Sequence, residues 1–178
     1  LSLALGTSEV SLLELTSAYV PFANGGNAII PYGIKEIINT NRKIIYKREG
    51  SGLGSIILAP HLKSINKMLK RTVIDGTGRF ARIDRPVAAK TGTSQNFRDA
   101  WFVGYSSDFI SGVWVGNDDG SGMKGVTGGT VPAKIWKDVM LRAHKPYPLK
   151  DLLEEDKKDK VNGFSNFIKR ILGKGKNN

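Results

Sequence analysis

Lys90-Thr-Gly-Thr-Ser-Gln-Asn-Phe-Arg-Asp-Ala-Trp-Phe-Val-Gly-Tyr105 is the stretch on which the fold turns. Trp101, Val103 and Tyr105 recur at every second position, the period of a strand, and are of the aromatic and β-branched types that strands favour. Ile110, Val113 and Val115 continue the same composition after Ser107-Asp108. A link of that length joins antiparallel neighbours. Strands are expected over 86–92, 99–106 and 109–116, with the last two forming a hairpin.

Lys90-Thr91-Gly92-Thr93 falls at the end of the first of these strands. Alternate residues of a strand point to the same side. Lys90 and Gly92 should share one face, and Thr91 and Thr93 the other. On an edge strand, a backbone N–H near Thr93 is free to point at a carbonyl oxygen. Such a donor stabilises the oxyanion of acyl transfer, typically by about 2.7–4 kcal/mol. Gly92 has no side chain, which leaves room for a substrate along the strand. Lys90 supplies positive charge for an acidic substrate end and lowers the proton affinity of a neighbouring hydroxyl. A bare Lys-Thr-Gly is also compatible with a polar turn after a strand, so its meaning depends on the sequence around it.

Towards the N-terminus, Ser11-Leu-Leu-Glu14 is a capping-box pattern, followed by Leu12, Leu15, Tyr19 and Phe22 at helical spacing. Pro21 predicts a kink or an early end, and Asn24-Gly25-Gly26 a stop. Strands are expected over 28–38 and 43–47, joined by Asn39-Thr-Asn-Arg42, with a Gly/Ser-rich loop over 50–55. Pro60 suits the start of a helix whose apolar face is Leu62, Ile65, Leu69 and Val73, ended by Asp75-Gly-Thr-Gly78. Towards the C-terminus, a Gly-rich loop over 117–130 precedes a helix opened by Pro132, with Ile135, Trp136, Val139 and Met140 expected inward. Residues 145–160 have the composition of a charged linker. Within 161–178, Phe164, Phe167, Ile168, Ile171 and Leu172 line one helical face among lysines and an arginine. That pattern fits an interfacial membrane helix, a basic tail, or a helix packed on a partner.

Composition narrows the chemistry. The 178 residues include no cysteine, which excludes disulfides, a thiolate nucleophile and thiolate metal sites. His61 and His144 lack a ligand-like spacing with carboxylates, so surface or helix-end packing is expected for both, and no metal or cofactor is expected. Gly116-Asn-Asp-Asp-Gly-Ser-Gly122 reads as a turn, since it lacks the spaced ligands and distal Glu of a calcium loop. The net charge of +11 favours anionic partners without choosing among nucleic acid, lipid and acidic polymer. No nucleic-acid-binding motif accompanies it.

Four blocks carry a resemblance: Leu5-Gly-Thr-Ser-Glu-Val10 with Leu13-Glu-Leu15 and Phe22-Ala-Asn-Gly-Gly26; Asp75-Gly-Thr-Gly78; Lys90 to Tyr105; and Val113-Trp-Val-Gly-Asn-Asp-Asp119 with Val126-Thr-Gly-Gly129 and Pro132-Ala-Lys-Ile-Trp136. In this order, residues 1–141 resemble the class A, bifunctional penicillin-binding proteins, in which Lys-Thr-Gly is the third active-site element after S-x-x-K and S-x-N. The resemblance implies an α/β (α+β) fold of the serine β-lactamase/transpeptidase type: an antiparallel sheet flanked by helices, incomplete in this chain. It implies a serine acyltransferase that cross-links peptidoglycan by D-Ala-D-Ala transpeptidation or carboxypeptidation and is acylated by β-lactams. Lys90 and Thr93 would serve catalysis, and Lys90, Thr91, Gly92, Thr93 and Ser94 would bind substrate. The partners implied are peptidoglycan stem peptides, lipid-linked precursors and β-lactams, at the outer, periplasmic face of a bacterial cytoplasmic membrane, with no nucleic acid.

Ser64-Ile-Asn-Lys67 matches S-x-x-K, but the family places its nucleophile before the Gly6-Thr-Ser-Glu9 block, and Ser64 also falls off the apolar helix face. Ser94-Gln-Asn96 lies inside the third element and cannot be the opposite wall of the same site. With both matches set aside, the resemblance implies that the nucleophile, a glycosyltransferase domain and a membrane anchor lie before Leu1, and these residues alone should be inactive. Residues 1–144 would then be the C-terminal part of the transpeptidase domain. The alternatives are a β-lactamase-like serine hydrolase and a catalytically dead binding fragment of a split gene. Residues 97–141, which extend the resemblance well past Lys-Thr-Gly, favour the bifunctional class.

Overall fold

The computed structural model describes residues 6, 8–50 and 52–152; the proposed tail 161–178 lies outside the described residues. The Ser11 hydroxyl accepts the Glu14 N–H, and the Glu14 carboxylate accepts the Ser11 N–H, which opens helix α1 (Leu12–Ala18). The reciprocal bonds satisfy two N–H groups that a helix start leaves free. Pro21 then acts as expected: the helix breaks at Tyr19 and restarts as α2 (Val20–Ala23). Gly25 and Gly26 follow at φ of 61° and 85°, left-handed conformations that glycine adopts without strain.

The expected strand over 28–38 divides in two. β1 (Asn27–Ile29) and β2 (Glu36–Ile38) belong to different sheets, separated by a segment containing Pro31 and Gly33. β2 pairs with β3 (Ile44–Lys47) in a hairpin whose turn is held by the Asn39 carboxamide oxygen, which accepts the Asn41 and Lys43 N–H groups. β1 pairs with β4 (Gly52–Ser55), a segment expected to be loop. Its glycines hide the strand from composition, but pairing needs only backbone groups. Apolar side chains remain open on these small sheets, with Ile45 63% and Leu53 62% exposed.

α3 (Ala59–Ile74) carries Pro60 in its first turn and buries Leu62 and Val73, while Ile65 and Leu69 are half-buried. Ser64 lies on its exposed side and donates its hydroxyl proton to the Pro60 carbonyl (3.0 Å). Asn66 was not expected inside. Its carboxamide accepts the Tyr105 hydroxyl and donates to the Phe22 carbonyl (3.2 Å), so both partners of a buried polar pair are satisfied.

The central sheet is antiparallel in the order β5 (Ala88–Thr93), β6 (Asp99–Tyr105), β7 (Ile110–Gly116), in agreement with the expected strands. Lys90 lies opposite Val103 and Thr93 opposite Ala100. Cross-strand pairs share a face. One face therefore carries Ala89, Thr91, Thr93, Phe102 and Gly104, and the other Ala88, Lys90, Gly92, Trp101 and Tyr105. Helix α4 (Val131–Ala143) covers the first face. Its Trp136 ring lies where a side chain at Gly104 would sit, at 2.8 Å from an added Cβ, and its indole N–H donates to the Gly104 and Ser111 carbonyls. Only Trp136 and Met140 of the expected inward set are buried; Ile135 and Val139 are 41% and 46% exposed. Both stripes are apolar, and the pocket over Gly104 selects the one that carries tryptophan. α1 approaches the second face at Gly112, where any side chain would collide with Thr16.

His144 packs at the end of α4, as expected. Its Nδ1–H donates to the Met140 carbonyl (2.7 Å), and its Nε2 lies 2.8 Å from the Ser106 hydroxyl. Beyond the helix, Leu152 is buried with Ala88 and Tyr105. No helix among the described residues is long and apolar enough to cross a membrane.

Candidate active site

β5 is an outer strand of the central sheet among the described residues, and its free edge is where the chemistry-bearing groups gather. The Ser94 N–H donates to the Asp99 carbonyl (3.0 Å), so Ser94 points its backbone at β6. Backbone groups alternate along a strand. The Thr93 N–H and the Thr91 carbonyl consequently point away from β6, towards the free edge. Lys90 reaches the same edge: its ammonium donates to the Thr91 carbonyl at 2.7 Å. A cation and an outward N–H thus stand on one edge within four residues.

The threonine side chains open on a cleft of about 390 Å³ over the first face of the sheet, lined by Gly76, Thr77, Arg79, Phe80, Thr91, Thr93, Thr127, Gly129 and Thr130. One wall is the Gly76-Thr-Gly78 turn. The Gly76 N–H bonds the Arg71 carbonyl and the Gly78 N–H the Thr72 carbonyl, which folds the turn back on the end of α3. The Thr77 and Thr91 hydroxyls lie 2.7 Å apart. The other wall is the loop Thr127–Thr130. The Thr130 hydroxyl donates to the Thr127 carbonyl and accepts the Thr127 N–H, closing the loop into a tight turn. That turn directs the Gly128 N–H at the Thr93 hydroxyl (3.1 Å). Its glycines permit the contact: a side chain at Gly128 would collide with the Trp101 carbonyl, and one at Gly129 with the Thr77 carbonyl.

The cleft is electropositive. Arg79 lines it, and the cations of Arg79 and Lys134 stand 5.6 and 5.1 Å from the Phe80 ring centroid. α4 begins at Val131, directly after the cleft residue Thr130, so the positive end of its dipole is also close. Hydroxyl donors, a backbone N–H and fixed positive charge together suit an anionic ligand with an adjacent carbonyl.

Of the residues expected from sequence, Thr91 and Thr93 come together in the cleft. Gly92 faces the other side, with the Trp101 side chain 3.2 Å from where a Cβ would stand. Lys90 is exposed and stands at the strand edge rather than in the cleft lining. Ser94 is turned into the β5–β6 corner. Its hydroxyl donates to Asp99 (2.8 Å) and accepts the Asp99 N–H, while the other Asp99 oxygen accepts the Trp114 indole N–H (2.9 Å). Thr77, Thr127, Gly128 and Thr130 had no assigned role, although two of the sequence blocks quoted above contain them or border them.

Residues 1–141 match the family model described as "Penicillin binding protein transpeptidase domain". The chain belongs to this family. It is 41% identical over 152 residues to penicillin-binding protein 1A of Aquifex aeolicus (strain VF5), covering 84% of this chain and 21% of that protein. It is 33% identical over 165 residues to penicillin-binding protein 1A of Neisseria lactamica, covering 88% of this chain and 20% of that protein. The chain therefore spans about a fifth of the length of these relatives. Among solved structures it resembles the penicillin-binding protein PonA1 from Mycobacterium tuberculosis, with a TM-score of 0.76 at 24% identity over 85% of this chain and 42% of that one. The same PonA1 protein has been solved in complex with penicillin V, again with a TM-score of 0.76 at 24% identity, over 85% of this chain and 43% of that one. At that identity the likeness concerns the fold, which is that of penicillin-binding transpeptidase domains.

Proposed function

We propose that this chain supplies one wall of a serine transpeptidase site that cross-links peptidoglycan, and that the attacking serine lies upstream of Leu1. The observation that carries this reading is the edge of β5: the Thr91 and Thr93 hydroxyls open on one electropositive cleft, and the outward Thr93 N–H and the Lys90 ammonium stand on the strand edge beside it. A stem peptide ending in D-Ala-D-Ala presents a carboxylate one residue beyond the scissile carbonyl. Thr91 and Thr93 hold that carboxylate. The Thr93 N–H then donates to the scissile carbonyl oxygen as it becomes an oxyanion, at an interaction typically worth about 2.7–4 kcal/mol. The serine of an S-x-x-K pair forms the acyl bond as its lysine takes the proton, and D-Ala leaves. An amine of a second stem peptide attacks the acyl-enzyme and completes the cross-link. Water in its place gives carboxypeptidase activity. A β-lactam, with its own carboxylate beside a strained amide, occupies the same positions.

Several further assignments belong to this proposal. Lys90 contributes charge to the catalytic centre, and Gly92 and Ser94 shape the strand along which substrate lies. Residues 1–144 form the C-terminal part of the transpeptidase domain, 145–160 a charged linker, and 161–178 a basic amphipathic tail suited to anionic lipid or wall polymer. A glycosyltransferase domain acting on lipid-linked precursors precedes the site, and the protein works at the outer face of the bacterial cytoplasmic membrane.

Fluorescent penicillin tests the central assignment. The longer protein carrying this chain should form a stable covalent band, and residues 1–178 alone should form none. A band on residues 1–178 that disappears in Ser64→Ala would place the nucleophile within this chain and overturn the upstream assignment. Rapid turnover of a chromogenic cephalosporin by the longer protein would make it a β-lactamase instead.

A further inference from the structure

We propose that Thr77 and the Gly128 N–H are positioning groups that set the proton directions of Thr91 and Thr93, and so make the cleft selective for a carboxylate. This rests on the transpeptidase reading above and adds two groups to it. A threonine hydroxyl has one proton, and its direction decides whether it can serve an anion. The Gly128 N–H can only donate, so in its 3.1 Å contact the Thr93 oxygen accepts. The Thr93 proton is left to point elsewhere, and the cleft lies on that side.

The Thr77–Thr91 contact, at 2.7 Å, can run either way. If Thr91 donates to Thr77, Thr91 has no proton for a ligand. If Thr77 donates, Thr91 keeps its proton for the cleft. A carboxylate in the cleft selects the second arrangement, giving a chain from Thr77 to Thr91 to the anion in which each bond strengthens the next. A neutral ester accepts more weakly and selects it less.

Thr77 is held where this task requires it. The Gly76 and Gly78 N–H groups bond the end of α3, and Gly129 packs on the Thr77 carbonyl with no room for a side chain. The loop that aims the Gly128 N–H is itself closed by Thr130. Two rigid turns, one after α3 and one before α4, thereby orient two hydroxyls two residues apart on β5. Arg79 in the cleft lining supplies the charge that an anion needs.

The test compares acylation of the longer protein by a penicillin and by its methyl ester, each as a second-order rate normalised to active sites. Normalisation removes any loss of folded protein, and the acid-to-ester ratio reports carboxylate recognition alone. Thr77→Val keeps the shape and removes the hydroxyl. The Thr91 proton stays available but its bond to the anion loses the strengthening supplied by the Thr77 donor, so the ratio should fall by roughly two- to four-fold. Thr77→Ser, which restores the hydroxyl, should recover most of it. An unchanged ratio in Thr77→Val, or an equal fall with acid and ester, would overturn the positioning role. Wild-type protein that neither compound acylates would instead defeat the transpeptidase reading, and this proposal with it.

Discussion

Tyr105 illustrates how much one buried polar atom constrains this molecule. Its hydroxyl donates to Asn66 on α3, and Asn66 in turn donates to the Phe22 carbonyl, so a single side-chain pair ties β6, α3 and α2 together. Tyr105→Phe would leave the Asn66 oxygen buried without a donor, at a cost of about 1–3 kcal/mol in unfolding free energy measured by denaturant titration. Burial raises the Tyr105 pKa above its ordinary value, with a smaller contribution from the nearby Tyr19. The unfolded chain therefore loses this proton at a lower pH than the folded chain does. The stability linked to it is complete below about pH 10 and is lost as pH rises further. Tyr105→Phe should consequently flatten the alkaline limb of the stability profile, and an unaltered limb would contradict the role given to burial. On β5, Lys90 at the edge and Thr91 and Thr93 in the cleft were legible because they are neighbours in a recognisable motif. Thr77 and Gly128 were not, because they meet β5 across 14 and 35 residues of chain. Such contacts exist only once α3 and the loop before α4 have packed.

At the scale of elements, the strands that sequence identified are those with a strong period and a short link. β6 and β7 combine aromatic and β-branched residues with a tight connection, and they pair over their full length. β4 was missed because Gly52-Leu-Gly-Ser55 has almost no strand-favouring side chains; it is a strand because β1 presents backbone partners to it. The 28–38 segment was read as one strand because its apolar residues outweighed Pro31 and Gly33, which interrupt it. α4 shows the limit of helical periodicity. Ile135 and Val139 form one apolar stripe and Trp136 and Met140 its neighbour, and only the space over Gly104 distinguishes them. Trp136→Ala should therefore be far more damaging than Ile135→Ala. We expect a loss of roughly 3–5 kcal/mol for Trp136→Ala by chemical denaturation, because the ring fills the core between α4 and the sheet. Ile135→Ala should cost well under half of that, since its side chain is already 41% exposed.

Across the whole molecule, the sheet and its helices arrange two turns and one strand edge around an electropositive cleft, in a chain that belongs to the transpeptidase family. In the proposed function, β5 is the wall that holds an acyl carbonyl and its neighbouring carboxylate. A crystal structure of the longer protein acylated by a penicillin tests it most directly. The acyl carbonyl oxygen should lie about 2.7–3.1 Å from the Thr93 nitrogen, and the penicillin carboxylate within hydrogen-bond reach of the Thr91 and Thr93 hydroxyls. An acyl group whose carbonyl oxygen lies out of reach of Thr93, or whose carboxylate sits away from both threonines, would contradict it.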